Sequence, residues 1–473
     1  MKKIILGLAV LATGLTTSCS GFLDEEPVLK QSNELTLANY TSLDAATAGL
    51  YSPMQSYTWY GASFILASEL RCGNAKNPKS LAGSGRYRED PFWNYNESST
   101  SSIWTYANYT ISRANNVINN LEGKESTEVT AQQINNTKAE ALFMRALSLF
   151  DLVITYAQPY TYASESLGVP VVLVTENGLP ARNTVKEVYD QILADLTTAE
   201  SIMADDYARQ GITDAAAAAT KPAIQALLSR VYLYMGDWQN SADYATKVIN
   251  NGKYKLAEGD KYKEMFTANV APEGGEIIFE VYGSNKNEYW DGSGWEGISY
   301  ITTGAEGSGD VSATKDLVDL YEDGDVRGEM FTMNENDYFT TKYAGKTGSG
   351  IPKENNIIVL RLSEMYLNRA EALYNGAHVA GVTAQSDLET IAAKRGSTAP
   401  SPSATSIFTE RRKELAFEGH IAYDYARTKT SLVRTDYDGI NNKDVPFPNE
   451  KWAMPIPKRE TDANPNMQQN PGY

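Results

Sequence analysis

Residues 220–250 carry the pattern that most restricts the fold. Thr220-Lys221-Pro222 opens a helical run, with Pro in the first turn, where its missing N–H costs little. Leu227, Val231, Tyr232 and Met235 continue it at the helical period to Gly236. Gly236-Asp237-Trp238 then turns the chain, and Ala242 stands at the next helix contact. Short residues at such a turn let two antiparallel helices approach, and stacked pairs bury a continuous core without a sheet. The same period recurs in Lys138–Tyr156 through Ala141, Leu142, Leu149 and Val153. Thr184-Val185-Lys186-Glu187 is a capping box that opens a helix through Val188, Ile192, Leu196 and Ala199. Arg361–Tyr374, Asp387–Lys394 and Phe408–Arg427 read as further helices, and Glu276–Tyr282 as a short strand.

The turn at Gly236 resembles that of a tetratricopeptide repeat. The predicted fold class is therefore all-α: a superhelix of tetratricopeptide-like helix pairs, decorated by long loops and short strands. Length alone permits about three units of roughly 150 residues or one large helical unit. Stretches 71–102, 282–310 and 429–473 break the helical pattern, rich in Gly, Ser, Asn, Pro and aromatics. Loops this long inside a domain are commonly functional.

The first residues indicate a destination. Lys2 and Lys3 precede an uncharged stretch from Ile4 to Leu15, followed by Thr16-Thr17-Ser18-Cys19. Such a stretch is shorter than the ~20 apolar residues a bilayer span needs. It reads as a secretory signal peptide over 1–18. A Cys after small residues looks like a bacterial lipoprotein site, with Cys19 lipidated, although the Leu usual three positions before it stands one further back, at Leu15. The expected organisation is signal peptide 1–18, lipidated leader 19–33 and a single domain over 34–473. With Cys19 acylated, Cys72 remains as a lone thiol, and no intramolecular disulfide forms.

Composition excludes several chemistries. The chain has 59 acidic against 42 basic residues, a net −17, and removal of Lys2 and Lys3 with the signal takes the mature chain to −19. Such a surface repels phosphate backbones, so nucleic acid is not an expected partner. Two Cys and two His cannot build zinc clusters or an HExxH site. Gly345-Lys346-Thr347 ends like a phosphate-binding loop, but Thr340 occupies the required Gly position. No cofactor is expected. Glu410, Glu414 and Glu418 recur every four residues on a predicted helix face and are the one acid group resembling a glycosidase pair. Arg411, Arg412 and Lys413 are adjacent, and Arg361, Arg369 and Arg427 come from neighbouring predicted helices, which points to a structural ion network.

Arg361-Leu362-Ser363-Glu364-Met365-Tyr366-Leu367-Asn368-Arg369-Ala370-Glu371-Ala372 and Glu410-Arg411-Arg412-Lys413-Glu414-Leu415-Ala416-Phe417-Glu418-Gly419-His420 resemble two signature blocks of the SusD/RagB family of Bacteroidetes outer-membrane lipoproteins. The closing Pro455-Ile456-Pro457, Asn464-Pro465-Asn466 and Gln469-Asn470-Pro471-Gly472-Tyr473 are similar to its C-terminal blocks, and Arg113–Ile118 and Ala139–Ala146 to earlier ones. The resemblance implies a non-catalytic, lipid-anchored protein on the outer membrane. It implies binding of an oligosaccharide nutrient and its transfer to a SusC-like TonB-dependent transporter. A peptide-binding RagB-like role is the alternative, and a surface glycosidase a lesser one. A sugar ring offers an apolar face to an aromatic and a polar rim to amides and guanidinium groups. Trp93 and Asn96, in the loop before the Trp104–Tyr109 helix, look similar to a ligand-contacting Trp and Asn of starch-binding members. Arg71, Asn74 and Arg86 precede them, and Trp290, Trp295 and Tyr300 are expected to complete the arc, with Trp59 and Tyr60 as the fallback.

Overall fold

Side-chain acceptors open seven of the helices named below in the computed structural model, which describes residues 37–78, 85–98, 102–175, 178–283, 297–304, 307–349 and 353–473. Cys19, the leader, Trp290 and Trp295 lie outside these residues. The helices used below are α1 (Tyr40–Ala48), α2 (Ser63–Arg71), α3 (Ser102–Asn120), α4 (Ala131–Tyr156), α5 (Val185–Ile202), α6 (Lys221–Met235), α7 (Trp238–Asn250), α8 (Ile298–Thr302), α9 (Leu362–Tyr374), α10 (Ala384–Arg395), α11 (Ala404–Glu414) and α12 (Ile421–Arg427). The strands are β1 (Ala75–Lys76), β2 (Ile277–Val281), β3 (Ser312–Ala313), β4 (Phe331–Asn334), β5 (Asp337–Thr340) and β6 (Ile357–Arg361).

The capping box at Thr184 forms as expected: its hydroxyl accepts from the Glu187 amide at 3.2 Å, and the Glu187 carboxylate accepts from the Thr184 amide at 2.8 Å. A second box, Thr130 with Gln133, starts α4 seven residues ahead of the expected Lys138. At the α6–α7 turn, Gly236 adopts φ 76°, a left-handed conformation that a Cβ would oppose, and its amide closes α6 on Leu233 and Tyr232. Asp237 caps α7. Ser229 and Ser241 then exchange side chain-to-carbonyl bonds at 3.0 and 2.9 Å across the pair, an approach that larger residues would block.

Neighbouring helices pack in sequence order, α3 on α4, α4 on α5, α6 on α7, α7 on α9 and α9 on α10. Their shared apolar faces make the main core, which includes Phe143, Leu147, Phe150, Ile192, Leu196, Leu227 and Val231. Among the described residues no helix is long and apolar enough to cross a membrane.

The expected strand pairs antiparallel with β6, register Ile277–Arg361 through Val281–Ile357. The second sheet, in order β1-β3-β5-β4, was not expected, because two of its strands have only two residues and carry no periodicity. A further difference lies in 408–427. The helix stops at Glu414, and Glu418 stands in a turn where Phe417 (φ 62°) and Gly419 (φ 84°) are left-handed. Lys342 stabilises this stop from inside: its ammonium donates to the Ala416 carbonyl at 2.8 Å and the Glu418 carboxylate at 2.6 Å. The three glutamates therefore do not share one helix face.

Candidate ligand-binding site

The glutamates meet instead around three guanidinium groups in the protein interior. Glu414 accepts from Arg327 (3.0 Å), Arg361 (2.6 Å) and Arg395 (2.7 Å). Glu418 pairs with Arg361 and Lys342, Glu276 with Arg361 and Arg395, and Glu410 with Arg327. Asp325 pairs with Arg327 and Lys413, so five carboxylates meet five cations. Burial raises the Glu414 carboxyl, but Arg395, Arg361 and Arg327 more than reverse this and hold it well below the usual carboxylate range. A group held ionised so firmly, out of solvent, has no proton to give a leaving group. The five carboxylates are engaged in ion pairs inside the protein, the network that the surrounding cations implied.

The expected stacking platform requires correction. Trp93 is only 2 % exposed. Its indole N–H donates to the Arg71 carbonyl at 2.9 Å, and its ring meets Trp452 edge-to-face at 4.8 Å. The Arg71 guanidinium lies 5.1 Å from the centroids of both Trp93 and Tyr95 and donates to the Lys451 and Trp452 carbonyls. Trp93 thus fastens the 85–98 segment to the C-terminal tail, and an occupied, buried ring cannot stack on a sugar. Arg71 is buried with it. Asn74 is also buried, donating to Glu69 at 2.7 Å and accepting from Arg412 at 2.6 Å. The fallback pair fails too: Trp59 and Tyr60 are core residues, with the Trp59 indole on Asp151 at 2.9 Å. For Trp93 the physical reason is that a long loop has too little core of its own, so its largest ring turns inward onto Arg71 of α2 and Trp452 of the tail.

Asn96 is exposed, and its side-chain oxygen accepts from the Ser98 amide. Tyr300 is half-buried on α8. The segments that hold them do converge with the chain before α2. The Ile298 amide donates to the Gly61 carbonyl at 2.8 Å, so α8 abuts the 56–61 turn. A Cβ on Gly61 would lie 2.6 Å from the Gln55 carbonyl oxygen, which requires glycine there. Asn77 donates to the carbonyls of Arg86 (3.3 Å) and Asp310 (2.9 Å), joining the 85–98 and 307–310 segments.

Two residues that were not singled out stand at this junction. Tyr57 and Tyr87 are half-buried rings with centroids 6.5 Å apart and planes 34° apart. Arg86, which was singled out, lies 5.9 Å from the Tyr57 centroid. The Tyr87 hydroxyl and Ser63 hydroxyl are 3.1 Å apart. Burial, then the neighbouring Tyr57, raises the Tyr87 phenol well above its ordinary value, so it stays neutral and both donates and accepts. Tilted rings with hydroxyl tips and a guanidinium beside them suit a ligand with an apolar face and a polar rim. The available signal was the surplus of Tyr over Phe, 30 against 12, which marks wet aromatic surfaces without choosing the residues.

Comparison with known proteins agrees with this architecture. Residues 21–233 match a family model described as starch-binding associating with outer membrane, and residues 327–473 match the SusD family model. The chain is 27% identical to SusD-like protein P2 of Formosa agariphila over the whole of both chains. It superposes on a SusD superfamily protein of Bacteroides thetaiotaomicron with TM-score 0.81 and 30% identity, covering 92% of this chain and all of that one. A laminarin-binding SusD-like protein shares the fold, with TM-score 0.74, 24% identity, and coverage of 92% of this chain and all of that one. With its helix pairs, signature blocks and full-length relatives in agreement, the chain belongs to the SusD/RagB family.

Proposed function

We propose that the protein is a non-catalytic, cell-surface receptor for an oligosaccharide, lipid-anchored at Cys19, which passes its ligand to a SusC-like TonB-dependent transporter. The observation that carries the binding reading is the Tyr57–Tyr87 pair beside Arg86, at the junction of the three segments around Gly61, Asn77 and Asp310. Family membership and the names of relatives, one of them laminarin-binding, support a glycan over other ligands. Tyr300 and Asn96 belong to segments flanking the pair and extend the proposed surface; Trp290 and Trp295, outside the described residues, are proposed as ligand contacts from the sequence alone. The anchor and the transporter rest on the leader sequence and the family.

Affinity electrophoresis against starch, laminarin and other soluble polysaccharides tests the binding. At least one polymer should retard the protein. By analogy with base–aromatic stacking, Tyr57→Ala should weaken binding roughly 5- to 150-fold. Retardation by none of the polymers, together with capture of a peptide mixture, would replace the glycan reading by the peptide one. Release of reducing ends would make the protein an enzyme.

A further inference from the structure

A second cavity lies away from the Tyr57–Tyr87 surface. It has a volume of about 430 Å³, within the range of roughly 300–1,000 Å³ usual for ligand pockets. The residues after α4, the segment before α5 and the C-terminal tail form its walls. Its lining joins an aromatic rim to a cationic floor.

The rim is Tyr162. This ring is 49 % exposed, and Phe447 holds it edge-to-face at 5.1 Å without sandwiching it. The floor is Arg182. Its guanidinium donates to four backbone carbonyls, those of Gly168 (2.6 Å), Gln468 (3.0 Å), Tyr156 (3.3 Å) and Leu167 (2.8 Å). An arginine has five N–H donors, so these bonds leave one over. Other buried arginines of this fold face carboxylates: Arg145 has Asp195, Arg230 has Glu364 and Arg369 has Asp387. Arg71 and Arg434 also bond carbonyls, but each lies against an aromatic ring. Among the described residues Arg182 has neither a carboxylate nor a ring, and burial alone pulls its pKa down to about 10. It is a buried cation whose bonds go only to carbonyls, and the one carboxylate lining the cavity, the exposed Glu450, is not bonded to it. Asn470, also lining the cavity, spends its amide N–H groups on the Tyr156 and Met454 carbonyls, so the group it has left to offer a ligand is its oxygen, an acceptor.

We infer that this cavity is a second saccharide subsite, selective for a sugar that carries a carboxylate: the carboxylate at Arg182, the ring face on Tyr162 and a hydroxyl on Asn470. Carboxylate and guanidinium make the stronger, charge-assisted class of hydrogen bond, which separates an acidic sugar from its neutral counterpart. The exposed Glu450 at the same cavity opposes the ligand weakly. This subsite stands whether or not Tyr57 and Tyr87 bind a glycan.

Titration of the full chain with glucuronate, glucose and acetate, followed by ligand-observed NMR, tests the inference. Glucuronate should bind about ten-fold more tightly than glucose. Tyr162→Ala should weaken glucuronate about ten-fold, because stacking is lost while the half-exposed position leaves the fold intact. Glu450→Gln should strengthen it about two-fold by removing a like charge. Tyr57→Ala should leave it unchanged. Equal binding of glucose and glucuronate would overturn the carboxylate selectivity. Acetate binding as tightly as glucuronate would overturn the saccharide. Absence of glucuronate binding, or loss through Tyr57→Ala and not Tyr162→Ala, would overturn the subsite.

Discussion

Replacing Glu414 by Ala should destabilise the protein while leaving its ligand affinity per folded molecule unchanged. The carboxylate is wholly buried and accepts from Arg327, Arg361 and Arg395 at 2.6–3.0 Å. Removing one partner of a buried pair costs about 3–5 kcal/mol, because the remaining charge is left desolvated. Here three guanidinium groups lose an acceptor together, so the cost lies at the upper end, about 5 kcal/mol or more. Against a total stability of about 5–15 kcal/mol, that is from a third to all of it. Glu410→Ala is the internal control. It takes one acceptor from Arg327, which keeps Asp325 and Glu414, so its cost should be distinctly smaller. Urea unfolding at neutral pH, read by tryptophan fluorescence, measures both, with polysaccharide affinity determined on the folded fraction. A Glu414→Ala cost below about 1 kcal/mol, the level of a solvated surface pair, would refute the reasoning. Unchanged unfolding with loss of polysaccharide hydrolysis would return the glutamates to catalysis.

Trp93→Ala should cost about 3–5 kcal/mol of stability in the same assay, as large-to-small core changes do, with no loss of glycan affinity in the folded fraction. Asp151, buried beside Trp59, has its carboxyl pushed up to about 7 from 3.8, chiefly by burial. The folded state therefore keeps a proton that the unfolded chain has lost, and the Asp151 contribution to stability falls as pH rises between those values. The melting temperature of Asp151→Asn relative to the parent should accordingly rise from about pH 5 to about pH 8 in scanning fluorimetry, and a flat difference would contradict the assignment. Cys72 is fully buried with its thiol pushed up to about 12 by burial, so a chromogenic disulfide reagent should modify it only on unfolding; prompt reaction of the native protein would contradict that burial.

Local signals in the chain determined its helices, because each is written in neighbouring residues. Thr184 and Glu187 reach one another's amides across three residues, and Gly236 supplies its left-handed turn by itself. The signature blocks carried the family for the same reason: they are contiguous. The stop after Glu414 was not legible, since Lys342 imposes it from more than seventy residues away in the chain. Nor was the fate of the aromatics. Trp93 and Tyr57 both lie in irregular segments, where no period tells an inward ring from an outward one. Trp93 turns inward because Trp452, from the far end of the chain, packs on it together with the nearer Arg71, whereas Tyr57 stays half-buried beside Tyr87 and Arg86. Burial of a loop side chain depends on what distant segments bring against it, and only the tertiary structure decided that.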